Sequence, residues 1–177
     1  GSVQGEVLQA DMLLQIAEDM GYRGQSYKPS DLDDFRSIVT KSIADGNPVA
    51  TVFPVDRETG RPSSHFDGRN EHAALIVGYN LERDTVDLAH WKRLYKKVPM
   101  KQLYDSMQTL PETREPEVYQ RKGTSVSSSR TAKYSMVKSD AVDSDEELLF
   151  SKIPEPGSGF NNTLFLMTPD PEHERWQ

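Results

Sequence analysis

Few side chains in this sequence can move a proton near neutral pH, and His72 is the best placed of them. It opens the stretch "EHAALIVGYN" (71–80), an imidazole at the head of an apolar run. Such a residue is either a structural histidine at a strand edge or a general base that activates a nucleophile. The usual partner of such a base, a thiol, is missing, because the chain has no cysteine. Disulfides and thiolate metal sites are excluded with it. His65, in "SSHFDG", reads as a loop residue. His90 stands before Trp91 at a strand end, either half-buried beside an aromatic or orienting His72. Asp87 follows His72 by 87 − 72 = 15 positions, so a strand–turn–strand could return its carboxylate to the imidazole. The alternative for Asp87 is an exposed cross-strand charge. Alternation puts Asp87 and Ala89 on one face of their strand and Val86, Leu88 and His90 on the other. The His-x-x-x-His spacing of a helical metal site is absent and the four histidines are far apart, so neither a metal nor another cofactor is expected.

The elements that must position these groups follow from periodicity. Residues 6–20 ("EVLQADMLLQIAEDM") place Val7, Leu13, Leu14, Ile16, Ala17 and Met20 on one broad helical face, with Gly21 at the stop. In "PSDLDDFRSIVTKSIADGNP" Ser30 or Asp31 caps a second helix. Leu32, Phe35, Ile38, Val39 and Ile43 form its stripe, and Gly46 and Pro48 end it. The two helices are expected to be joined by a short connection. The period then becomes that of strands at 48–55, 72–79, 85–91 and 93–100, with turn formers near Asn80–Asp84 suggesting an antiparallel meander. A long turn-rich loop, "DRETGRPSSHFDGRNE", delivers the chain to His72. Residues 100–110 read as a short helix closed by Pro111, and "NTLFLMTP" (162–169) as a last strand that could return to the sheet.

Composition narrows the class. A chain of 177 residues fits one domain, yet 35% hydrophobic content and a mean hydropathy of −0.70 leave room for solvated loop. The serine-dense stretch "RKGTSVSSSRTAKYSMVKSDAVDSDEE" has the composition of a disordered insertion, and its "DSDEE" reads as a solvated charge run or a recruitment site. Residues 3–120 are expected to form the core, 121–158 a Ser-rich acidic insertion, and 159–177 a terminal strand and tail. A net charge of −7 argues against a nucleic-acid binder, "HWKRLYKK" (90–97) being the one local basic patch. No apolar run approaches the roughly 18 residues of a membrane helix, and no signal peptide is evident. "NNT" (161–163) matches a glycosylation sequon that nothing else supports, and the leading Gly-Ser reads as a tag scar. A cytoplasmic protein without membrane or nucleic-acid partners is expected.

Helix, helix, strand, long loop and a strand opening with histidine is an order that resembles papain-like and C39-like cysteine peptidases. The stretches "GNPVATVF", "HAALIVGY" and "VDLAHW" carry that likeness. Within the group, "LLQIAEDMGYRGQ" (13–25), "FPVDRETGRP" (53–62), "GRNEHAALIVG" (68–78) and, loosely, "LYDSMQTL" (103–110) resemble the actin maturation protease family. The resemblance implies an α+β fold with two N-terminal helices packed on a small, mainly antiparallel sheet. It further implies a thiol peptidase acting on a protein or peptide substrate, such as the actin amino terminus, with His72 as base and Asp87 or His90 as its orienter. The papain-like orienter usually stands two positions before a tryptophan, which here is Ala89.

Two accounts fit the missing thiol. In the first, the nucleophile belongs to a segment upstream of the one matched by 8–25. In the second, Ala10 stands where a cysteine was replaced, with Gln4 six positions earlier, the spacing of an oxyanion-hole glutamine. No hydrolysis is expected of this chain alone. Two other classes share the scaffold logic: a non-catalytic peptide-binding module, and a transglutaminase- or acyltransferase-like effector.

Overall fold

A computed structural model describes residues 10–65, 71–110 and 159–174, with the side chains of 11 and 12 left aside. Gln4 and the Ser-rich stretch 121–158 lie outside the described residues. In chain order the elements are α1 (Ala10–Asp19), β1 (Tyr22–Tyr27), α2 (Leu32–Ala44), β2 (Val49–Pro54), β3 (Glu71–Asn80), β4 (Thr85–His90), β5 (Arg93–Pro99), α3 (Met100–Gln108) and β6 (Leu164–Pro169). The fold is α+β. Six strands form one sheet in the order β1-β6-β2-β3-β4-β5, with every neighbouring pair antiparallel.

β2 through β5 form the expected meander. The connection between the first two helices is where expectation and structure part, because it is itself a strand. β1 reads "YRGQSY", with most of its residues exposed, so it lacks the apolar alternation that marks a strand. Its place is secured from two sides. It pairs with β6 from Tyr22↔Pro169 to Tyr27↔Leu164. It also lets α1 lie close, since a Cβ on Gly24 would meet Leu14 Cδ2 at 2.9 Å.

β2 is buried at all six positions, as a central strand covered on both faces must be. Val49 and Phe53 point into the main core with Phe35 and Val39 of α2, Ile76, Leu88, Val98, and Leu103 and Met107 of α3. Ala50 and Val52 point the other way, into a smaller cluster with Ala10, Leu13 and Leu14 of α1, Leu110, Phe160 and Phe165. The two N-terminal helices therefore pack on opposite faces of the sheet. The buried Thr51 hydroxyl is satisfied by Met107 Sδ (3.3 Å) and the Thr163 carbonyl (3.4 Å). Asp31 provides the α2 cap, its Oδ1 accepting from the Asp34 N–H at 2.8 Å. Arg36 of α2 then grips Asp84 in the β3–β4 turn with two bonds of 2.8 and 2.6 Å, tying helix to meander. No helix among the described residues is long and apolar enough to cross a membrane.

Candidate functional site

His72 sits at the second position of β3, opposite Phe53 of β2. Alternation puts its side chain on the face of Ala74 and Ile76, towards the main core. β4 brings His90 to the same face, next to Leu88, and the two imidazoles meet with centroids 4.9 Å apart. Aromatic rings close around the pair. Trp91 lies 4.6 Å from His72 and 5.1 Å from His90, Tyr95 stacks on His90 at 4.2 Å and 17°, and Phe53 meets His90 edge-on at 5.8 Å.

A hairpin turn builds this wall. His90 pairs with Arg93, leaving Trp91 and Lys92 as a two-residue turn with φ of 47° and 59°. Both residues are left-handed, as a type I′ hairpin requires, although neither is the usual Asn or Gly. The loop after β2 supports the other side. Asp56 Oδ1 accepts from the N–H groups of Glu58 (2.8 Å) and Thr59 (3.1 Å), folding the chain so that Gly60 lies against Tyr95. Gly60 has φ +71°, and a Cβ there would collide with the Tyr95 ring.

Burial pushes the His72 pKa below the usual histidine value, which favours the neutral ring. His90 is only 7% exposed. Burial first and the His72 charge second push its pKa down as well, while the Gly60 carbonyl pulls it up. That carbonyl falls short of hydrogen-bonding geometry, and both ring nitrogens of His90 are sealed from solvent without a partner among the described residues. Among the described residues no carboxylate is hydrogen-bonded to either imidazole, and no group of three His, Cys, Asp or Glu side chains could hold a metal.

Two of the expected site residues come together and two do not. Asp87 is opposite Gly78, six positions along β3 from His72, which is about 20 Å at strand rise. It also faces away from the main core, and its Oδ1 accepts the Lys97 N–H at 3.0 Å. Asp87 therefore does not orient His72. The bulge at Ile76/Gly78 sets this register, with Val77 as the extra residue. Ala10 is buried in the cluster on the opposite face of the sheet from His72, so the side chain at position 10 is not next to the imidazole. Gln4 cannot be placed, and Ala89 shares the face of Asp87. His65 is an exposed loop residue. Trp91 is the aromatic expected beside His90, but Tyr95 and Phe53 are walls the sequence reading misses. The signal for them was the hairpin register, which places Tyr95 diagonally across from His90. An open cleft of about 630 Å³ lies at the other edge of the sheet, lined by Arg23, Gln25, Tyr27, Ile38, Lys41 and Leu166 among others, and it does not include His72. Comparison with protein families, with curated proteins and with solved structures yields no match.

Proposed function

We propose that this chain is the histidine-bearing body of a cysteine-peptidase-like domain, of the papain-like or C39-like kind, that handles an extended protein substrate such as the amino terminus of actin. The observation that carries this reading is the His72 imidazole: neutral, half-buried at the head of β3, and flanked by His90 and Trp91. A neutral imidazole can take the proton of a thiol and return it to the leaving amine. Among the described residues His90 and Trp91 hold the ring by packing, in place of the usual hydrogen-bonded orienter. The thiol has to come from outside these 177 residues, because they contain no cysteine. The chain by itself is inert towards peptide bonds on this reading.

The test is to add the natural residues that precede Val3 and assay cleavage of an actin amino-terminal peptide. Cleavage that falls at least about a thousandfold in His72→Ala supports the reading. If the preceding segment brings no cysteine, or if His72→Ala cleaves normally, the reading fails. Labelling by a thiol-directed acyl probe without peptide cleavage points to an acyltransferase instead. The missing cysteine favours a second reading for the chain on its own, a peptide-binding module that keeps the scaffold without the chemistry.

A further inference from the structure

Among the described residues β5 is the last strand of the sheet, and one side of its backbone faces no other described strand. The two-residue turn at Trp91–Lys92 sets which groups face outward. Its closing pair, His90 and Arg93, bonds inward, and the next pair, Ala89 and Leu94, does not, so Leu94 directs its N–H and C=O to the open edge. Arg61 occupies one carbonyl further along, donating from Nη2 to the Lys96 oxygen at 3.2 Å.

The charge at this edge runs against the charge of the molecule. The chain carries a net −7, yet Lys92, Arg93, Lys96 and Lys97 are all exposed on this one hairpin. None of the four makes an ion pair among the described residues. The other sheet edge offers a contrast. β1 has a single cation, Arg23, and it is paired with Asp170 at 2.8 Å. Apolar surface accompanies the basic edge. Leu94 is 48% exposed and stands in a cross-strand row with Ala89 and with Leu75, which is 40% exposed. This row lies on the face away from the main core.

We propose that β5 is a docking edge for an acidic, extended peptide, which adds along it as a further strand. Backbone pairing supplies the hold, the four cations select acidic side chains, and Leu94 and Leu75 seat an apolar one. Edge lysines can also serve only to discourage pairing between sheets. That role is met by a charge or two on the edge strand itself. It does not call for four unpaired cations on one hairpin beside exposed leucines. Nucleic acid is disfavoured because the basic surface is confined to one hairpin of an acidic protein. The proposal goes beyond the peptidase reading and does not depend on it.

The experiment is fluorescence anisotropy of the full 177-residue chain with a labelled peptide alternating Glu and Val. Saturable binding is expected, weakened about tenfold by the Arg93→Glu/Lys96→Glu double variant and by raising salt from about 50 to about 500 mM. The same peptide with its backbone amides N-methylated at alternate residues should lose binding, because it cannot pair as a strand. Unfolding melts of the double variant should match the parent. The proposal is overturned by equal binding of a Lys/Val peptide or of the N-methylated peptide, by binding that survives charge reversal, or by an oligonucleotide of similar charge binding better than the peptide.

Discussion

His90 is the residue whose chemistry and surroundings disagree most. Its two ring nitrogens are buried without partners among the described residues, while its faces are well packed by Tyr95 and Phe53. An unsatisfied buried polar group costs about 1–3 kcal/mol. His90→Phe, which keeps the stack and removes the nitrogens, should therefore raise the unfolding free energy by about 1 kcal/mol in urea melts. A drop in stability would show that the nitrogens are satisfied in solution. Both histidines have folded pKa values below their unfolded ones, so acid favours the unfolded chain, which binds more protons. Stability should be complete above the unfolded value of about 6.5 and decline as pH falls towards the folded values. A melting-temperature series from neutral to mildly acidic pH checks this, and a His72→Phe/His90→Phe variant should flatten the series. The same two residues show how far the sequence could be read. Alternation already put His90 and Asp87 on different faces, and the structure keeps His90 beside His72. What alternation could not give was the bulge near Val77, because residues 73–77 ("AALIV") are apolar at every position and so show no change of phase.

At the scale of elements, the strands that were readable are those with one or two buried faces. β2, β3 and β4 carry β-branched or alternating apolar residues, and α2 and α3 carry helical stripes over Phe35 and Val39 and over Leu103 and Met107. β1 is unreadable because "YRGQSY" carries no apolar alternation, whereas the other edge strand, β5, has Leu94, Tyr95 and Val98; what holds β1 is a glycine beneath Leu14 and pairing with a distant strand. The loop after β2 is held in a similar way, by Gly60 against Tyr95. Gly60→Ala should destabilise by about 2 kcal/mol, since it adds both an unfavourable φ and a clash with the ring. It should also loosen the stack on His90, and a shift in Trp91 emission checks that. The Arg36–Asp84 link holds Asp84 below its ordinary carboxylate range. Because both side chains are substantially exposed, Asp84→Asn should cost no more than about 1 kcal/mol, and less in high salt.

At the scale of the whole molecule, the terminal strand expected at 162–169 returns to the sheet as β6. β6 lies between β1 and β2, and it buries Leu164 in one core cluster and Phe165 in the other. A chain ending at residue 158 should show no cooperative thermal transition, and circular dichroism with calorimetry would test it; a truncated chain that melts sharply would mean the remaining strands can close the sheet themselves. The pairing of Tyr22 with Pro169 has a consequence for how the protein is made. On the ribosome the helices and the meander emerge first, but β1 and β2 have no neighbour on their shared side until the closing strand has been translated. Through most of synthesis the nascent chain holds a gap where the middle of its sheet will be. Final assembly therefore waits until the closing strand has left the ribosome, and until then those two unpaired strands are what a chaperone would meet.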